Sequence, residues 1–128
     1  AGNTALMKKQ LLTEKEYNQM STMLGVIMDN MIESVKDIDD KLISINIYKD
    51  NETICCDFVN NFAGNIDLCR LGEIGYTTKG ENHGVGLTLI AKIMKANDKF
   101  ECYPEILDNF FIQHVRIKLS KKNIDKNN

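Results

Sequence analysis

The sequence predicts an α+β fold, a two-layer α/β sandwich with its helices on one face of the sheet. Three observations carry that expectation. A capped amphipathic helix opens the chain at Thr13. Two pairs of alternating segments, 43–48 with 53–58 and 99–104 with 110–119, have the pattern of hairpins. A glycine-rich run at 80–86 leads into a second amphipathic helix. The order is helix, hairpin, long loop, helix, hairpin. Strands that pair with their sequence neighbours suit this sandwich rather than a parallel sheet with crossover helices.

Each element has a local cause. Residues 1–12 form a linker or an expression remnant, in which Leu6, Met7, Leu11 and Leu12 leave a short edge element open. Thr13-Glu14-Lys15-Glu16 is a capping box: the Thr hydroxyl accepts from the third helical N–H, and Glu16 reaches back. Tyr17, Met20, Leu24, Ile27, Met28, Met31 and Val35 then fall at helical spacing and predict one apolar face over about 14–36. Asp29, Asn30 and Glu33 lie off that stripe. Ile43, Ile45 and Ile47 alternate with polar residues, as do Ile54, Cys56 and Phe58, with a turn at Asp50-Asn51. Residues 60–84 lose periodicity and collect glycines, which marks a functional lid or a disordered segment, with a possible short helix near 65–71. Residues 70–84 are expected to be mobile in the unliganded chain. From Gly86 the residues Leu87, Leu89, Ile90, Ile93 and Met94 give a second helix, stopped by Asn97-Asp98. The last strand pair is joined through Pro104 and Asp108-Asn109, with Phe111, Val115, Ile117 and Leu119 on one face and His114, Arg116 and Lys118 on the other. His114 then counts as a solvated strand residue. Residues 120–128 form a Lys- and Asn-rich flexible tail, leaving one domain at 13–119.

Composition narrows the function classes. A chain of 128 residues, 43% hydrophobic and 27% charged, makes one domain with a real core. Sixteen Lys and Arg against 18 Asp and Glu leave a net charge of −2, which argues against a nucleic-acid binder. No apolar run is long enough to span a bilayer, and no secretory signal opens the sequence. Cys55, Cys56, Cys69 and Cys102 form no C-x-x-C pair, so packing thiols in a reducing compartment fit better than a disulfide framework or zinc site.

Three constellations carry chemistry. Gly80-Glu81-Asn82-His83-Gly84-Val85-Gly86-Leu87 leads into a helix, so backbone N–H groups and the positive end of the helix dipole face an approaching anion. Thr77, Thr78 and Lys79 precede it with hydroxyl donors and a cation, the makings of a phosphate site. The spacing matches neither a Walker A loop nor a dinucleotide fingerprint. Asn30 stands inside the first helix, where Asn is a poor helix former, and its amide oxygen suits Mg²⁺. Asn60-Asn61-Phe62 closes the second strand, and an Asn there offers a donor and an acceptor to an adenine edge.

Together these residues resemble one family. Residues 24–34, Leu-Gly-Val-Ile-Met-Asp-Asn-Met-Ile-Glu-Ser, resemble the N box of sensor histidine kinases, and residues 75–87, Gly-Tyr-Thr-Thr-Lys-Gly-Glu-Asn-His-Gly-Val-Gly-Leu, resemble their G2 box. The likeness is greatest to the agr-type peptide-pheromone (quorum-sensing) kinases of the GHKL superfamily, which also holds DNA gyrase, Hsp90 and MutL. It implies the Bergerat-type ATP-binding fold, with a mixed sheet and a flexible ATP lid. It implies ATP and Mg²⁺ as cofactors. The partners it implies are a dimerisation domain carrying the phosphoacceptor histidine and, indirectly, a response regulator. Neither nucleic acid nor direct membrane contact belongs to such a domain, which is the cytoplasmic part of a membrane-anchored bacterial kinase.

Position by position, the resemblance makes Asn30 the Mg²⁺ ligand and gives Asn30 and Lys79 the catalytic places. Thr77, Thr78, Lys79, Gly80 and His83 fall in the lid, and Gly84, Val85, Gly86 and Leu87 cradle the phosphates with their backbone. Either Asn60 or Asn61 takes the place of the adenine-reading Asp. His83 replaces the usual Arg, which implies weaker phosphate affinity or lid closure. Val26 stands where gyrase-like members carry a Glu base, so the resemblance implies phosphoryl transfer to a partner group rather than hydrolysis. Glu33 is placed on the nucleotide-facing side.

Overall fold

The computed structural model describes residues 11–64 and 83–119, with side chains from Gly86 onward in the second stretch. In chain order they form α1 (Glu14–Val35), β1 (Ile43–Asp50), β2 (Thr53–Asn61), α2 (His83–Ala96), β3 (Phe100–Leu107) and β4 (Phe110–Lys118). Most of the expected lid at 60–84 and the short helix near 65–71 lie outside these residues, but 60–61 belong to β2 and 83–84 to α2; of the expected edge element, Leu6 and Met7 lie outside and Leu11 and Leu12 fall in no helix or strand.

α1 starts where the capping box places it. Glu16 N–H donates to Thr13 Oγ1 at 3.1 Å, and Thr13 N–H donates to Glu16 Oε1 at 2.9 Å. The buried face differs from the expected stripe. Met23, Ile27, Met31 and Val35 are buried, whereas Tyr17 and Met28 are 47% and 44% exposed. The apolar arc on α1 is wider than the area its neighbours cover, and packing selects the side that carries Met23.

The four strands form one sheet in the order β1-β2-β4-β3. All three pairings are antiparallel. The parallel partner that a mixed sheet requires is therefore not among the described strands. Both hairpins turn on a residue with left-handed backbone, Asn51 and Asp108, each at φ 56°. Asn and Asp tolerate that region better than other side chains. β3 runs through Pro104 to Leu107 rather than breaking at the proline, because an edge strand leaves one side without ladder partners.

Helices α1 and α2 pack on one face. Their Met23, Ile27, Met31, Ile90 and Ile93 meet Cys56, Phe58, Phe100, Val115 and Ile117 from the sheet, and Leu12 joins the same core from just before the cap. Full burial of side chains such as Phe100 or Ile117 contributes roughly 1.5–3 kcal/mol each. The isoleucines of β1 share the helix-facing side with Cys56 and Phe58 but remain exposed, Ile47 by 65%. β1 is the edge strand beyond the reach of the described helices.

Cys55 and Cys56 are buried free thiols and Cys102 is a half-buried one, as expected of packing cysteines. Burial pushes the Cys56 and Cys102 thiols up from their ordinary range. Cys69 lies outside the described residues.

Candidate functional site

The two helices run antiparallel, and that brings the two sequence motifs together. Asn97, just past the end of α2, donates its Nδ2 to Glu16 Oε2 at 2.9 Å and to Gln19 Oε1 at 3.3 Å, near the start of α1. Near the other end of α2, Gly86 abuts Val26: a Cβ added at Gly86 would lie 2.9 Å from Val26 Cγ1. Only glycine fits this approach without displacement. The second helix begins at His83, earlier than the expected start at Gly86. Asn30 stands four residues, about 6 Å, beyond Val26 on the same helical face. His83 stands three residues, about 4.5 Å, before Gly86. The first turn of α2 is thereby set alongside Asn30.

Asn30 is half-buried, as is Glu33, whose Oε1 lies 2.9 Å from Lys36 Nζ. Asp29 is exposed. Among the described residues no group of three or more His, Cys, Asp or Glu could hold a metal ion. A Mg²⁺ held by one side-chain oxygen together with nucleotide phosphates needs no such group. A half-buried amide beside a helix start fits that coordination.

The two asparagines that close β2 point to opposite faces. Asn61 shares the outer face with Asp57 and Cys55 and is already engaged. Its Oδ1 accepts from Leu42 N–H at 3.0 Å, and its Nδ2 donates to Asp40 O at 2.6 Å. It fastens the connection between α1 and β1. Asn60 lies on the helix-facing side with Cys56 and Phe58 and is 2% exposed. Its Nδ2 donates to Asn61 O at 2.9 Å. Since Ile43 begins β1 just after α1 ends and pairs with Asn60, the latter lies toward the end of α1 that carries Asn30.

Leu87 is half-buried on α2. Thr77, Thr78, Lys79 and Gly80 lie outside the described residues, and for His83, Gly84 and Val85 only the helical backbone is described.

A polar cluster on the opposite, outer face was not foreseen. His114 is not a merely solvated residue: Nδ1 lies 2.8 Å from Asp57 Oδ1, and Nε2 lies 2.8 Å from Glu105 Oε1. Arg116 Nη1 donates to Asp57 Oδ1 at 3.0 Å, and its guanidinium lies 5.7 Å from the Tyr48 ring centre. Burial pushes the Asp57 carboxyl up, but hydrogen bonds from His114 and Arg116 overcome it and hold the group below its ordinary range. Alternation along β2 and β4 was the one available signal, since it puts Asp57, His114 and Arg116 on one side.

Comparison with known proteins fits this architecture. The family model of the GHKL domain matches residues 16–118. The chain is therefore a member of the GHKL family, an ATP-binding domain similar to histidine kinase catalytic domains. Among solved structures, the catalytic domain of histidine kinase ThkA in a nucleotide-free form superimposes with a TM-score of 0.66 at 17% identity, covering 79% of this chain and 66% of that one. A second nucleotide-free form of ThkA gives 0.65 at 19% identity, over 79% and 67% of the two chains. Histidine kinase AdeS of Acinetobacter baumannii gives 0.61 at 14% identity, over 81% of this chain and 47% of that one. The chain thus spans about two thirds of the ThkA chain and about half of the AdeS chain. At these identities the likeness establishes the fold. A search of curated proteins finds no match. Among the described residues no helix is long and apolar enough to cross a membrane.

Proposed function

We propose that this chain binds Mg-ATP between α1 and the start of α2 and donates the γ-phosphate to a histidine on a separate dimerisation domain. It would act as the catalytic domain of a two-component sensor histidine kinase of the agr-type peptide-pheromone group. On this reading residues 13–119 are the domain, with Leu12 adding to its core. Residues 1–12 and 120–128 are flanks, and the parent protein is membrane-anchored with this domain in the cytoplasm. The Val26–Gly86 contact supports the reading most, because it sets the N-box Asn30 beside the helix that follows the G2 glycines.

Each group has a task. The Asn30 side chain holds Mg²⁺, which when bound neutralises charge on the phosphates. Backbone N–H groups of residues 84–87 take phosphate oxygens at the helix start. Lys79, with Thr77, Thr78, Gly80 and His83, closes over the nucleotide and stabilises charge on the transferring group. Asn60 reads the base. The acceptor imidazole nitrogen attacks the γ-phosphorus, the bond to the bridging β-phosphate oxygen breaks, and ADP leaves. Val26 carries no base, so water is not activated and the acceptor competes well.

Isothermal titration with ADP and Mg²⁺ tests the binding. Saturable binding weakened more than about tenfold in Asn30→Ala is expected; absence of binding by the native chain overturns the reading. Mixing the chain with its acceptor domain and γ-labelled ATP tests the transfer. Label on a histidine is expected. Binding without transfer would instead assign a nucleotide-binding module of the same fold, which the His83 and Asn60 replacements would suit.

A further inference from the structure

A cleft of about 440 Å³ opens along the first half of β3, beside the end of α2. Met94 of α2, Phe100, Cys102 and Tyr103 give it an apolar lining, and Asp98 and Glu101 bring two carboxylates. Both acids are exposed, and among the described residues neither has an ion-pair partner.

β3 is an edge strand, so every second residue turns its backbone groups toward this cleft. Lys118 N–H donates to Lys99 O, so the backbone groups of residues 99, 101 and 103 face β4 and those of 100, 102 and 104 face outward. The outward N–H groups are already used. Phe100 N–H donates to Asn97 O at 3.2 Å, Cys102 N–H donates to Met94 Sδ at 3.0 Å, and Pro104 has none. This stretch of edge therefore offers carbonyl oxygens. It cannot template another strand, which needs donors and acceptors in alternation. Together with the two carboxylates it suits a cation that donates, above all an ammonium.

The chain carries such a group to the place. Lys118 lines the cleft, and Leu119 N–H donates to Glu52 O at 2.7 Å, so the point where the chain leaves β4 is fixed. Continuing the β3–β4 register sets Asp98 level with Leu119. Residues 120–128 follow, with Lys121, Lys122 and Lys126 against Asp125 alone. Three extended residues reach about 10 Å, and exposed charges attract over about 8 Å at physiological ionic strength. In an extended chain Lys122 and Ile124 project to the same side.

We propose that this cleft binds a lysine followed two residues on by an apolar side chain, and that Lys122 and Ile124 of this chain occupy it. The Lys122 ammonium donates to the Glu101 carboxylate and to the outward carbonyls of β3. Ile124 packs on Met94 and Tyr103. The segment thereby straps the end of α2 to the edge of the sheet.

Carbodiimide cross-linking, which joins an amine to a carboxylate in direct contact, tests it. The full chain is used as a mixture of ordinary and heavy-isotope-labelled protein, and the products are read by mass spectrometry. Lys122 is expected to join Glu101 or Asp98 within one chain. The yield should fall about threefold or more in about 1 M salt, where the attraction reaches only about 3 Å. Ile124→Ser is expected to cut the yield about twofold or more with every charge in place, which chance encounters of a basic segment with acids would not show. Cross-links found only between light and heavy chains put the segment on a second copy and overturn the proposal. Lysines of residues 121–126 joined chiefly to other carboxylates, or a yield indifferent to salt and to Ile124, overturn it as well. The native chain decides even if the variant fails to fold.

Discussion

The two ends of α1 are built differently. At its start, Glu16 is saturated: it bonds Thr13 N–H, Asn97 Nδ2 and Lys99 Nζ, the last at 3.1 Å. Burial by itself raises the Glu16 carboxyl, but the bonds from Thr13, Asn97 and Lys99 outweigh it and hold the group at about 2. Toward its other end lie Asn30 and, on β2, the buried Asn60, whose Oδ1 accepts no hydrogen bond from the described residues. One end spends its polar groups on fastening two helices and a strand. At the other, the described residues leave Asn60 Oδ1 without a hydrogen-bond donor. Polar residues of similar burial can thus be told apart by whether their hydrogen bonds close within the protein.

The comparison can be broken at the joint between the ends. Gly86→Ala puts a methyl 2.9 Å from Val26 Cγ1. Val26 is β-branched and nearly locked in its helical rotamer, so the helices must part. A loss of roughly 2–3 kcal/mol in denaturant unfolding is expected, together with weaker nucleotide binding. Val26→Ala in the same chain should restore most of both; no recovery would show that the helix contact is not the cause.

Glu16→Gln attacks the fastened end. It should cost roughly 2 kcal/mol, since Lys99 loses its counter-charge, yet leave ADP affinity unchanged. The pH sign follows from the depressed carboxyl. The native chain keeps this stabilisation above about 4.5, the unfolded value, and loses it as pH falls toward about 2. Glu16→Gln should show a flatter acid limb in thermal melts; parallel limbs would refute the assignment.

Asn61→Ala should cost roughly 1–2 kcal/mol of stability through its two lost side-chain bonds, measurable by chemical denaturation. Smallest is Asp57→Asn on the outer face, at roughly 1 kcal/mol. Its depressed carboxyl supplies stability above the ordinary carboxylate range and loses it as pH falls below, so the variant should match the native chain in acid and fall behind near neutrality.

Local chemistry was legible in the sequence and tertiary choice was not. The capping box, the hairpin turns at Asn51 and Asp108 and the alternation of β4 follow from neighbouring residues, and all formed. Whether Tyr17 or Met23 faces inward depends on where α1 meets the sheet, which no local pattern encodes. The register at Asn60 and Asn61 was open in sequence. Strand pairing shows which of the two faces the helices, because adjacent residues must face opposite sides and Phe58 fixes which side is inner. The His114 cluster gathers residues 57 and 9 positions away and exists only once β2, β3 and β4 are side by side. Of the candidate site, Asn30, Gly86 and Asn60 were identified from motifs. What the motifs did not contain was the spatial reason for Gly86.

The central pairing of β2 with β4 has a consequence for how such a domain can change over time. It joins Asp57 to His114 across 57 positions of chain, and that span contains the glycine-rich segment as well as α2. The entropy of closing a loop rises only with the logarithm of its length, about 0.6 kcal/mol for each doubling. Insertions and deletions between residues 62 and 82 should therefore tax the sheet very little. The strand pairing acts as a tolerant frame, within which evolution can resize the glycine-rich segment and retune its chemistry without rebuilding the core.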